Sequence, residues 1–171
     1  MRQSTKTRLL AFATGLGWVG VLHRGYRIGL VKFGFTNQLD LYAALGQVEY
    51  HAGKWDATET GWVHAIKSYC QGERIAFDSF QLDLAGVTPF QRRVLESCRE
   101  IPYGEVLSYG ELADRAGHPG AARAVGSVMR GNRHPILIPC HRVVASSGIG
   151  GFTSPQGVGL KERLLSIEGR G

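Results

Sequence analysis

The sequence predicts a mixed α/β (α+β) protein in two parts. A small antiparallel sheet with a helix is expected over residues 1–85, and a mainly helical part carrying a helix-turn-helix over residues 86–171. Three observations lead there. The first half alternates short apolar runs with glycines, as in GWVGVLHRGYRIGLVKFGF, at the period of two that a strand requires. The second half changes to apolar spacings of three and four, punctuated by helix-capping signals. With 171 residues, 43% of them hydrophobic, the chain is long enough to bury a core as one domain or two small ones.

Taken in order, the glycine-punctuated stretch up to about residue 80 reads as antiparallel strands joined by tight turns. A helix is expected near GWVHAIKSYCQG, where Trp62, Ile66 and Tyr69 share a face and Gly72 provides a stop. FDSFQLDLAGV then reads as a last strand and a linker, which places the boundary near residue 85. The next helix opens with Thr88 as N-cap, Pro89 at its first position and Gln91 three residues after the cap. Phe90, Val94, Cys98 and Ile101 line one side, so Cys98 reads as a small core hydrophobe.

After the PYGE turn, Ser108 and Glu111 repeat the capping-box pattern and start a short helix through Ala116. GHPG separates it from AARAVGSVMRGN, whose apolar positions Ala122, Val125, Val128 and Met129 lie opposite Arg123, Ser127 and Arg130. Gly126 costs that helix about 1 kcal/mol relative to alanine. Either close approach to another backbone or dense helix packing would explain so small a residue there.

Net charge is +6 with a pI near 9.5. From Arg115 to Lys161 there is no Asp or Glu, while six Arg and Lys and three His fall within that span. Such a stretch suits a surface that meets phosphates, and equally an ordinary solvated basic face; charge alone does not decide. No apolar run reaches the ~18 residues of a membrane span. The apolar stretch after the basic start MRQSTKTR is too short and too interrupted by Gly15 and Gly17 for a signal peptide. Three cysteines without CxxC spacing, Cys70, Cys98 and Cys140, argue against a disulfide framework and a zinc knuckle. A cytoplasmic protein with free thiols is expected.

The stretch ILIPCHRVV carries the chemistry. A thiol attacks as thiolate, and an ordinary cysteine, with pKa about 8.5, is mostly protonated at neutral pH, so Cys140 needs a base or a positive environment. His141 is adjacent, but in an extended segment neighbouring side chains point to opposite faces. Contact would then need a bridging water or a turn. Glu168, at the end of LKERLLSIEG, can orient the imidazole and complete a Cys-His-Glu relay. From the chemistry alone, a cysteine hydrolase and an alkyl acceptor are equally served.

IPCHRVV, preceded by AARAVGSVMRGN and SYGELA, closely resembles the O6-alkylguanine-DNA alkyltransferases, also called methylated-DNA–protein-cysteine methyltransferases. The resemblance runs from about Thr88 to Gly169. It implies a ribonuclease H-like N-terminal supporting domain over residues 1–85 and a winged-helix-like DNA-binding domain over residues 86–171. It also implies single-turnover transfer of a methyl or alkyl group from O6 of guanine, and from O4 of thymine, to Cys140.

The roles implied by the resemblance fall on matching residues. His141 draws off the thiol proton through a water, with Glu168 behind it. Asn132 is a hinge tying the recognition helix to the active-site segment, and Tyr109 donates its hydroxyl to the flipped base. Arg123 fills the gap that the base leaves. Ala122, Ser127 and Arg130 meet DNA along the same helix, which enters the minor groove. Met129, Val143, Phe152 and Thr153 line the substrate pocket. The partner is double-stranded DNA containing alkylated guanine, and the protein is expected to be a monomer without cofactor, metal or membrane attachment. The chain departs from the family in GIGGFTSPQGVG, where Phe152 takes the aromatic place and the loop is longer. Three rival readings are a non-catalytic lesion-binding module that recruits other repair, a cysteine hydrolase, and a transcriptional regulator.

Overall fold

The computed structural model describes residues 6–50 and 54–169; the opening MRQST of the basic start lies outside them. The chain divides into two compact units, Met1–Asp83 and Leu84–Gly171.

The first unit is built on β1 (Thr7–Thr14), β2 (Gly17–Arg24) and β3 (Arg27–Phe35), consecutive antiparallel strands closed by two-residue turns. Leu9 pairs with Leu22 and Leu10 with Val21, so successive residues face opposite sides of the sheet. Both sides are covered, which is why the buried positions form near-continuous runs rather than alternating cleanly. On one side Leu9 and Leu22 pack with Leu41 and Leu45 of α1 (Gln38–Leu45). A side chain at Gly20 would stand 2.9 Å from Leu41, so the helix seats against bare backbone there. On the other side α2 (Ala57–Cys70) brings Trp62 edge-on to His23, ring centres 5.0 Å apart.

The structure differs from the sequence reading in three places here. α1 was not expected, although Asn37 caps it by accepting from the Asp40 amide. α2 begins four residues ahead of the stretch read as helical, because Asp56 and Glu59 form a capping box. Glu59 is buried, and its charge is met by Arg8 and by His23 Nε2 at 2.9 Å. The last strand, β4, is only Gln81–Leu82 and joins β3 in parallel rather than antiparallel fashion. The expected stop does follow α2, with Gly72 at φ 92°.

The second unit contains α3 (Pro89–Arg99), β5 (Leu107–Ser108), α4 (Tyr109–Arg115), α5 (Ala122–Arg130), β6 (Val143–Val144) and α6 (Val158–Ile167). Both capping boxes foreseen from sequence, Thr88 with Gln91 and Ser108 with Glu111, are formed. Val94, Cys98 and Ile101 are buried, with Cys98 fully enclosed. Helices α3, α4 and α5 pack on one another, and α4 and α5 are the two arms of the helix-turn-helix. β5 pairs in parallel with β6, Leu107 opposite Val143 and Ser108 opposite Val144. That short pairing sets the start of α4 beside the segment that follows Cys140. No helix among the described residues is long and apolar enough to cross a membrane.

Candidate active site

The Cys140 segment is a turn, not the extended strand that its β-branched neighbours suggest. Cys140–Arg142 forms a 3-10 turn, with the Arg142 amide donating to the Pro139 carbonyl at 2.9 Å. Proline has no amide to pair in a ladder, which favours this turn over a strand. Upstream, Ile136 has φ 72°, a left-handed conformation costly for a β-branched residue. The Ile138 amide donates to the His134 carbonyl and the Cys140 amide to the Ile138 carbonyl, each at 2.8 Å. Cys140 is buried, with 9% of the residue exposed.

His141 and Glu168, far apart in the chain, meet at 2.9 Å between Nε2 and Oε1, and both are buried. Arg142, also buried, donates from Nε to Oε1 at 3.2 Å and to Oε2 at 3.0 Å, and from Nη2 to Oε1 at 2.9 Å. The Gly104 amide adds a donor to Oε2 at 3.1 Å. This supply of donors explains why a carboxylate can sit at the C-cap of α6 although the helix dipole disfavours it there. Burial lowers the basicity of His141; the hydrogen bond and charge of Glu168 raise it, while Arg142 and Lys161 add to the lowering. Burial also pushes the Cys140 thiol above its ordinary value, opposed by a hydrogen bond from Asn132, the charge of Lys161 and the amides of Cys140 and His141.

Asn132, just beyond α5, binds both ends of the active-site segment. Its Nδ2 donates to the Ile138 carbonyl at 2.9 Å and its Oδ1 accepts from the His134 amide at 3.0 Å. Tyr109, the first residue of α4, is half-buried, and burial followed by the Cys140 charge raises its hydroxyl pKa. A side chain at Gly150, itself at φ 74°, would stand 3.3 Å from the Tyr109 ring and hydroxyl and 3.1 Å from the Ala145 amide. Lys161 is fully buried, donating to the carbonyls of Val143 at 2.6 Å and Gly151 at 3.2 Å, with Nζ 6.0 Å from the Tyr109 ring centre. Burial lowers its pKa to about 8.

The model of the 6-O-methylguanine DNA methyltransferase DNA-binding domain matches residues 89–170. Over 164 residues, 92% of each chain, this chain is 43% identical to the methylated-DNA–protein-cysteine methyltransferase of Salmonella typhimurium. The chain belongs to the methylated-DNA–protein-cysteine methyltransferase family. It is also 46% identical over 110 residues to the methyltransferase of Mycobacterium tuberculosis, a region spanning 64% of either chain. The crystal structure of Mycobacterium tuberculosis OGT in complex with DNA is similar at a TM-score of 0.72 and 34% identity, over 92% of this chain and 90% of that one.

Within this chain, Cys140, His141, Glu168, Asn132 and Tyr109 are gathered around one turn. The positions named along α5 separate by exposure. Arg123, Ser127 and Arg130 are exposed, Ala122 is half-buried and Met129 is buried. Gly126 is turned toward Tyr109, where an added side chain would make ordinary contact at 3.9 Å. The packing of the protein therefore does not require glycine there. Val143 is fully buried, Phe152 half-buried and Thr153 exposed.

Two residues escaped the sequence reading, Arg142 and Lys161. Arg142 adjoins the Cys140–His141 pair in sequence, but nothing local distinguishes it from a basic surface residue. Lys161 had one available signal, since it falls among Leu160, Leu164 and Leu165 on the apolar face of α6. Among the described residues, no group of three or more His, Cys, Asp or Glu is arranged to hold a metal ion.

Proposed function

We propose that this chain repairs DNA by transferring a methyl or small alkyl group from O6 of guanine to Cys140, once per protein molecule. The observation that carries the reading is the 2.9 Å contact between His141 and Glu168 in the same turn as the buried Cys140 thiol. With Nε2 committed to Glu168, a neutral His141 accepts through Nδ1, by way of a water, the proton leaving Cys140. Sulfur attacks the alkyl carbon, the S–C bond forms and the C–O6 bond breaks. The electron pair of the broken bond passes to O6 and the guanine ring, and the proton removed from sulfur ends on the restored guanine, which stays in the strand. Tyr109 donates its hydroxyl to that base as negative charge grows.

Recognition belongs to residues 86–171 in this reading, with residues 1–85 as the supporting domain. Exposed Arg123 fills the stack when the damaged base is flipped out, and Ser127 and Arg130 contact the backbone of double-stranded DNA. Met129, Val143, Phe152 and Thr153 shape the alkyl pocket, and Asn132 keeps α5 in register with the thiol. Transfer from O4 of thymine and a cytoplasmic location, where thiols stay reduced, belong to the same proposal. The test is intact-mass analysis after mixing with a duplex bearing one O6-methylguanine. A single added methyl on Cys140 is expected; repeated turnover of unmodified protein would overturn the reading.

A further inference from the structure

Glu168 lies between two groups that compete for its charge. A buried histidine facing a buried carboxylate with no other cation tends to hold the proton and form an ion pair, and an imidazolium cannot accept another proton. Here the carboxylate is already matched. Arg142 reaches both oxygens with three contacts of 2.9 to 3.2 Å. Its own guanidinium is anchored by Nη1 donating to the Ile101 carbonyl at 2.6 Å and lies 5.8 Å from the Tyr103 ring centre. The planar fork of arginine makes this two-point contact, which a lysine cannot reproduce.

We propose that Arg142 is a positioning residue of the transfer reaction: by gripping both oxygens of Glu168 it balances that carboxylate and holds His141 as the neutral tautomer, protonated on Nε2 and ready to accept at Nδ1. This inference rests on the reading of Cys140 as alkyl acceptor. The groups around the imidazole agree with it. Glu168 and Lys161 approach from the end and body of α6 and Arg142 adjoins the ring in its own turn; one step out, Cys98 on α3 lies near Cys140 and Arg142, Tyr103 near Arg142, and Tyr109 at the start of α4 near Cys140 and Lys161. Two cations, Arg142 and Lys161, oppose a third positive charge on His141, against one anion that favours it. The thiol proton then goes to an imidazole that is occupied only during transfer.

Nitrogen-15 NMR of the His141 ring across pH tests this, alongside single-turnover rates on a duplex bearing one O6-methylguanine. The wild-type ring is expected to be neutral with its proton on Nε2 near neutral pH; an imidazolium at pH 7 would overturn the proposal. Arg142→Met should raise the titration midpoint by about one pH unit or more, the scale of removing a contacting charge, and move the pH profile of transfer upward with it. A purely structural arginine would lower the rate and leave the midpoint in place.

Because Arg142→Met strands a buried carboxylate and can unfold the site, Arg142→Met with Glu168→Gln supplies a second reading. Its midpoint should fall back below that of the wild type, and a midpoint at or above the wild-type value contradicts the balance. Arg142→Lys should transfer at least about tenfold more slowly, a part of the roughly 10²–10⁴-fold that a positioned general base contributes; an unchanged rate would refute the two-point grip. Should wild-type protein transfer no methyl at all, the proposed function fails, while the ring titration still decides the role of Arg142.

Discussion

His141 Nε2 and Glu168 Oε1 stand 2.9 Å apart across 27 positions of sequence, and in the proposed reaction that contact selects the imidazole nitrogen left for the thiol proton. In a neutral ring donating to a carboxylate, Nε2 carries the proton and Nδ1 is the acceptor. His141→Phe and Glu168→Gln should therefore slow alkyl transfer by roughly 10²–10⁴-fold, the contribution of a positioned general base. DNA affinity should hardly change. Single-turnover rates within twofold of wild type would remove the relay.

The three cysteines should part company under alkylation. Burial raises Cys70 to about 11 and Cys98 well above its ordinary value, and Cys98 is fully enclosed. Peptide mapping after reaction should find the methyl on Cys140 and none on Cys70 or Cys98. Cys140→Ser should bind duplex DNA and transfer nothing; a methylated Cys140→Ser protein would contradict the assignment.

Lys161 predicts a pH dependence of thiol reactivity. Its ammonium favours the Cys140 thiolate, so Lys161→Met should raise the thiol pKa and slow its modification by iodoacetamide. The lysine pKa is lowered to about 8 by burial, so that support is complete below this pH and is lost as pH rises through it. The gap between wild type and Lys161→Met should be widest at neutral pH and close above about 8. A gap that widens at alkaline pH would show that the charge is not responsible.

Two glycines near Tyr109 should respond oppositely to alanine. Gly126→Ala adds a side chain at 3.9 Å from the ring and removes a helix-interior glycine, so thermal stability should hold or rise by up to about 1 kcal/mol. Gly150→Ala meets a φ of 74° and contacts of 3.1 and 3.3 Å, and should cost about 1 kcal/mol or more while displacing Tyr109. Thermal melting of both variants, with transfer rates, checks the contrast. Equal stabilities would mean the Gly150 loop yields freely.

Arg123, exposed on α5, separates base replacement from simple phosphate binding. Arg123→Ala should impair transfer from O6-methylguanine in duplex DNA much more than reaction with free O6-benzylguanine, which needs no flipping. A phosphate-binding arginine would instead weaken affinity for every duplex and reduce the salt slope by about one charge. Equal losses on both substrates would place the damage in the active site.

Local features were legible in the sequence because their physics is local. The capping boxes at Thr88 and Ser108 span three residues, and the period of two in β1 to β3 is set by neighbouring pleats, so both can be read without the fold. The Cys140–His141 pair and its candidate partner Glu168 could be named, the last as a carboxylate able to orient the imidazole. Only the tertiary structure placed His141 against Glu168, turned Pro139–Arg142 into a 3-10 turn, and filled the site with Arg142 and Lys161. Their burial was not readable in advance, since a charged side chain leaves water only where distant groups replace its hydration. For Arg142 those groups are Glu168 and the Ile101 carbonyl; for Lys161 they are the carbonyls of Val143 and Gly151. Each set comes from separate segments, and the folded chain alone brings them within hydrogen-bonding distance.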